Sequence, residues 1–161
     1  MHQTVKNLLS IQSSIKSKFL DLKDKNKTPK IIAVSKTFKI DHILPLIEHG
    51  HLDYGENKVQ EANEKWSELK LTNKNIRLHM VGRLQTNKVK KAVQIFDFIH
   101  SVDSKKLADT LKKREDEINR KLSYFIQINL GNESQKGGIE KKDAGSFVNY
   151  CKNELKINVI G

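Results

Sequence analysis

The sequence predicts an α/β fold built on a parallel sheet, and three observations carry that prediction. Short apolar runs alternate with segments of helical spacing along nearly the whole chain. Most of those runs are rich in Ile, Val and Phe, as strands covered on both faces are. The 161 residues, 37% of them apolar, suffice for one domain with its own core, and 8 Gly with 2 Pro exclude a linker-rich or collagen-like polymer.

Val5, Leu8, Leu9, Ile15 and Leu22 predict a leading amphipathic helix over about residues 2–24, ending in the polar run Lys23 to Thr28. The βα units begin at about residue 30. Lys30 to Val34 is the first strand run, and Ile40, Ile43, Leu44 and Ile47 then space as a helix stopped by Gly50, with Pro45 early enough to be tolerated. A weak second run, Leu52 to Tyr54, precedes the helical set Val59, Ala62, Trp66 and Leu69. Ile76 to Val81 and Phe96 to His100 follow as strands. Leu107, Leu111 and Ile118 mark a helix in the charged stretch Lys105 to Lys121, whose interleaved acids make it a solvated face. Tyr124 to Asn129 and Ile157 to Ile160 complete six runs. Strict alternation permits an open doubly wound sheet or a (β/α)8 barrel. A closed barrel rarely needs fewer than about 200 residues. The chain finishes on Gly161 directly after the sixth run, so six strands are either a sheet open by design or the front portion of a barrel.

No stretch approaches the roughly 18 uninterrupted apolar residues of a membrane helix, and Met1 to Ser10 lacks a secretory pattern. The lone Cys151 forms no internal disulfide. A soluble, cytoplasmic protein with no membrane partner is expected. The formal charge of +11 invites nucleic acid, and Arg83, Lys88, Lys90 and Lys91 form the densest clean patch. Only four of the 30 cations are arginines, the side chain that specific base and phosphate forks favour, so nucleic-acid binding ranks as the lesser expectation.

Ligands of parallel α/β folds meet the loops at the carboxyl ends of strands, and four places there carry reactive groups. Lys36 emerges from the first strand, where partial desolvation would lower an amine's pKa and favour a Schiff base with an aldehyde; a lysine also falls beside a strand by chance. Asn57 follows Tyr54-Gly-Glu and either hydrogen-bonds a ligand or caps a helix. His79 leads the stretch to Lys88, whose end opens a basic helix N-terminus suited to an anion, although the histidine itself is equally a hydrogen-bonded core residue. Asn129 to Gly138 is a polar, glycine-rich loop that closes over a ligand or merely connects. A dinucleotide fingerprint, a phosphate loop and a serine-hydrolase elbow are all missing. His49 and His51 suggest no third metal ligand, so no metal site is assigned. Amine chemistry on a parallel sheet remains.

These places fall together in five ordered blocks: Ile31-Ile-Ala-Val-Ser-Lys36-Thr; Tyr54-Gly-Glu-Asn57-x-x-Gln60-Glu; His79-Met-Val-Gly-Arg-Leu-Gln85-Thr-Asn-Lys88; His100-Ser-Val-Asp103; and Gln127-Ile-Asn129 through Gln135-Lys-Gly. Over roughly residues 30–161 they closely resemble the pyridoxal phosphate homeostasis protein family. The resemblance implies a (β/α)8 TIM-barrel type fold related to the alanine racemase N-terminal domain, here truncated to about six strands within one incomplete domain, residues 1–161. It implies pyridoxal 5′-phosphate (PLP) as cofactor, held as a Schiff base on Lys36, with Asn57 near it and His79 and Ser101 as lining groups. The implied role is intracellular vitamin B6 cofactor homeostasis without established catalysis, so no catalytic residue is assigned. A racemase-like amino-acid enzyme is the alternative, but the second base it requires is not identifiable. Family members continue into two further strands with phosphate-cradling segments, so the resemblance leaves open a complementing C-terminal fragment, an oligomer that fills the gap or a degenerate remnant, with cofactor-requiring apo-enzymes as the other implied partners.

Overall fold

In the computed structural model, described over residues 1–20, 29–131 and 137–161, each predicted strand run contributes to one sheet. The strands are β1 (Ala33–Val34), β2 (Asp53–Glu56), β3 (Arg77–Met80), β4 (Phe98–Val102), β5 (Ser123–Ile126) and, after a separate short pair, β8 (Asn158–Val159). They lie in the order β1-β2-β3-β4-β5-β8, and every pairing is parallel. That order never reverses. Parallel crossovers are right-handed, so strands added always on the same side send every connecting helix to the same face. A doubly wound sheet reverses its order to cover both faces; a barrel wall does not. The order therefore selects the barrel alternative.

The helices are α1 (Gln3–Leu20), α2 (Leu44–Glu48), α3 (Val59–Thr72), α4 (Val89–Ile95), α5 (Lys105–Ile118) and α6 (Ala144–Asn149). The core lies between them and the strand residues of one parity: Tyr54, Leu78, Met80, Ile99 and Tyr124 are at most 1% exposed and belong to one cluster with Trp66, Val89, Ala92, Leu107 and Leu111. Each strand alternates its side chains, so Gly55, Arg77, His79, Phe98, His100 and Phe125 share the opposite, concave face.

Local chemistry sets the boundaries. Gly50 at φ 88° ends the α2 segment, as predicted, since its left-handed backbone lets the His51 N–H reach the Leu46 carbonyl at 2.9 Å. Ser104 caps α5 by accepting from the Leu107 N–H at 3.3 Å, and Asn119, left-handed at φ 49°, closes it. Three expectations are corrected. Leu9 and Ile118 are 37% and 41% exposed, because Val5 and Leu8 alone carry the buried contact of the first α1 turns and Ile118 follows the packed turns of α5. The leading helix is described to Leu20, and Leu22 and the polar run to Thr28 lie outside the described residues. The run Tyr124 to Asn129 is not one strand: the Gln127 carbonyl accepts from the Ile139 N–H at 2.8 Å, and β6 (Ile128–Asn129) leaves to pair with β7 (Ile139–Glu140). The second run is not weak in structure, since all four residues of β2 are buried. No helix among the described residues is long and apolar enough to cross a membrane.

Candidate functional site

Parallel strands deliver their carboxyl ends to one rim. Val34 pairs with Gly55, so Lys36 and Asn57, each two residues further on, lie at adjacent strand ends. Lys36 is exposed rather than partly desolvated, a correction that follows from its place in the turn after β1. Its two neighbours are held firmly. The Ser35 hydroxyl donates to Glu56 Oε1 at 2.7 Å, Lys65 Nζ donates to the Ser35 carbonyl at 2.8 Å, and the Thr37 N–H donates to Glu61 Oε1 at 2.8 Å. Thr37 sits at φ 67°, a left-handed conformation that a β-branched residue adopts only under constraint. Such strain persists where surrounding contacts over-determine the backbone, and here it fixes the turn that carries Lys36.

Glu56 anchors this turn from below. It is fully buried, and its Oε1 also accepts from Lys65 Nζ and Trp66 Nε1, both at 2.9 Å. Lys65 and Trp66 lie on α3, so the turn carrying Lys36 is tied to the helix layer rather than left as a free loop.

Asn57 Oδ1 is buried and has no hydrogen-bond partner among the described residues. A buried acceptor left alone costs about 1–3 kcal/mol, here as at Glu56 Oε2, so a donor brought to this atom would be stabilising. Gly82 packs directly on this residue: a Cβ added there would lie 2.8 Å from Asn57 Cα and 2.9 Å from its Cβ. Ser101, 2% exposed, donates its hydroxyl to the Gly82 carbonyl at 2.7 Å. Asn57, Gly82 and Ser101 thus form one contact line across β2, β3 and β4. Because the obstruction is backbone, Gly82→Ala is expected to cost about 1–3 kcal/mol. At about 2–4 °C per kcal/mol the thermal midpoint falls by several degrees, which calorimetry measures; an unchanged midpoint would contradict the packing.

His79 does not reach the rim. It is level with Gly55 and Phe98, deeper on the concave face, and 5% exposed. Its Nε2 lies 3.1 Å from Asp53 Oδ1 and its Nδ1 lies 2.9 Å from His100 Nε2. Phe98 stacks on its ring at 4.3 Å between centroids, and Phe125 stacks on His100 at the same distance. Arg77 grips Asp53 through Nε at 2.7 Å and a second nitrogen at 2.5 Å. Those hydrogen bonds outweigh burial and hold the Asp53 carboxyl below its ordinary range. Desolvation lowers His79 and takes His100 down to about 4. Burial therefore favours the neutral form of both imidazoles. The unfolded chain binds protons at these histidines near 6.5 that the fold resists, so stability is full above that value and declines as the pH falls toward 4. Urea midpoints measured from pH 7 to pH 4.5 are expected to fall steadily, and less steeply in His100→Phe. A flat profile for both proteins would contradict the assignment.

The remaining rim motifs also find partners. Gln127 Nε2 donates to the Gly137 carbonyl at 2.9 Å, and Arg83 Nε lies 3.8 Å from Asp103 Oδ2. Asn57, Arg83, Gln85 and Lys88 border a cavity of about 230 Å³. Residues 132–136 of the predicted closing loop lie outside the described residues. Cys151 is buried, which pushes its thiol up to about 11 and leaves it unreactive. Sequence reasoning missed Asp53, and it quoted Glu56, Gly82 and His100 in its blocks without the buried contacts that each makes. A signal existed: Asp53, Arg77, His79 and His100 fall at period-two positions on three successive strands, a polar stripe that apolar-run counting passes over.

Comparison with known proteins agrees with this geometry. The profile of a family described as Alanine racemase, N-terminal domain, matches residues 12–161. Proteins called pyridoxal phosphate homeostasis protein from Pasteurella multocida and Haemophilus influenzae are 34% and 33% identical over 147 residues, 91% of this chain. This chain spans 63% and 62% of those relatives' lengths. PipY of Synechococcus elongatus PCC7942 has a similar structure, with TM-score 0.76 at 32% identity without PLP and 0.73 at 30% with PLP bound. These matches cover 91% of this chain and 68% and 70% of the respective PipY chains. Clostridium difficile alanine racemase shares the fold at TM-score 0.60 and 12% identity, over 92% of this chain and 37% of its own.

Proposed function

The chain belongs to the pyridoxal phosphate homeostasis protein family, on the alanine racemase N-terminal domain fold, and from that premise we propose that it binds PLP as a Schiff base on Lys36 in cytoplasmic vitamin B6 homeostasis. The observation that carries the reading is the exposed amine of Lys36 at the carboxyl end of β1, on a turn clamped by Glu56, Lys65 and Glu61. The cofactor supplies an aldehyde that condenses reversibly with a primary amine, losing its carbonyl oxygen as water. The residues present fit it. Lys36 offers the amine, and Asn57 offers a buried acceptor without a partner at the next strand end. Ser101 holds the Gly82 backbone against Asn57, and His79 lines the concave face below.

Residues 1–161 act as a single barrel-type domain in this reading, as a carrier rather than a catalyst. Displacement of Lys36 by an amine of a recipient would pass the cofactor on with no net water, and displacement by water would return the free aldehyde, so cofactor-requiring apo-enzymes are proposed as recipients. The described sheet ends at β1 and β8, and a complementing segment that adds strands there is the second proposed partner.

Incubation with PLP followed by borohydride should fix the cofactor on the peptide containing Lys36. Label on another lysine, with Lys36 unmodified, would overturn the assignment. Sustained turnover of an amino acid, abolished in Lys36→Ala, would replace the carrier with a racemase-like enzyme.

A further inference from the structure

The concave face carries an ordered chain of hydrogen bonds that the Lys36 chemistry does not use. Asp53 starts it: its carboxylate, held ionised by Arg77, accepts hydrogen bonds and donates none. The His79 Nε2 that faces it must then carry the ring proton. In the neutral form that burial favours, His79 with its proton on Nε2 has a bare Nδ1, and His100 Nε2 then donates to it across the 2.9 Å contact. His100 is left with a bare Nδ1 in turn, and that atom has no partner among the described residues. Each tautomer is thus dictated by the one before it. Phe98 lies nearly parallel to His79, 6° between planes, and Phe125 at 21° to His100, so both ring planes are fixed.

The chain also has a direction in space. Asp53 opens β2 and pairs with Arg77 at the start of β3, His79 is mid-strand, and His100 lies two residues beyond Phe98, the residue level with His79. The hydrogen bonds climb toward the rim that carries Lys36 and Asn57, ending on a half-buried nitrogen flanked by aromatic rings.

We infer that Asp53, His79 and His100 form an oriented relay that presents His100 Nδ1 as the acceptor for an N–H or O–H donor on a planar aromatic ligand bound at the concave face. His100 is the contacting residue; Asp53 and His79 are positioning residues that act through it. The inference rests on the proposed use of this face by PLP, a heteroaromatic ring bearing such donors, and adds the group that meets it from below.

Nitrogen-15 histidine labelling tests the two parts separately, with His100→Gln used to assign the resonance. Ligand-free protein at pH 7 should show His79 and His100 both as the Nε2–H tautomer. A proton on Nδ1 of either ring, or a charged imidazolium, overturns the relay. Asp53→Asn, whose amide both donates and accepts, should bring in the second tautomer at both rings. After PLP is fixed on Lys36 with borohydride, the His100 Nδ1 resonance should move upfield as it accepts a hydrogen bond. Lys36 labelled with His100 Nδ1 unmoved overturns this inference and leaves the Lys36 assignment intact. Failure to label Lys36 overturns that assignment, and the tautomer spectrum alone then decides the relay.

Discussion

Lys36→Arg is expected to abolish borohydride-trappable PLP while leaving the thermal midpoint where it was. A guanidinium keeps the positive charge but cannot condense with an aldehyde, so the loss is of the covalent step and not of local charge. The side chain is exposed and has no hydrogen bond or ion pair among the described residues, and substitutions at such positions usually change stability by no more than about 0.5 kcal/mol. Absorbance titration and calorimetry on the same sample separate the two effects. Trapping that persists in the arginine variant, or a midpoint that drops by many degrees, would show that this lysine is structural.

The opposite pattern is expected at Glu56→Ala. That carboxylate gathers Ser35, Lys65 and Trp66 at a position with no solvent access. Its removal leaves the Lys65 ammonium, 9% exposed, with the Ser35 carbonyl and a longer 3.7 Å contact to Glu61, and strands the buried Trp66 N–H. Breaking a buried pair by deleting one partner costs about 3–5 kcal/mol. For a chain of this length that is a fall of roughly 6–20 °C in midpoint. Glu56→Gln keeps the shape and an acceptor for Trp66, and should lose about half as much, since the ion pair alone is sacrificed. PLP affinity should fall with stability, because Ser35 precedes Lys36 and loses its anchor. A midpoint within about 2 °C of the parent would remove Glu56 from the support of the turn.

These two substitutions mark the line between what was legible and what was not. The place of Lys36 at a strand end was legible because it closes an apolar run, and runs mark strands without any knowledge of neighbours. Asn57 and His79 were legible as residues, but their surroundings were not: pattern favoured a helix cap at Asn57, whereas α3 has no side-chain cap bond and Asn57 packs on Gly82, and His79 bonds Asp53. Glu56 stood within a recognised block, yet its burial was hidden. The β2 segment Asp-Tyr-Gly-Glu reads as weak because half of it is acidic, and its interior position is sustained by ion pairs and hydrogen bonds to Arg77, Lys65 and Trp66. Hydrophobic spacing registers neither.

The sequence by itself determined the βα rhythm, the strand that delivers Lys36 and the glycine that stops α2, since each follows from residue type and spacing over a few positions. Tertiary structure alone decided that the strands follow one another without reversal, that helices share one face, and that Asp53, His79 and His100 meet on the other. The physical reason is range. Propensity and periodicity act between neighbours along the chain, whereas strand order and buried polar partners join residues 21 to 26 positions apart, visible only once the backbone has closed the distance.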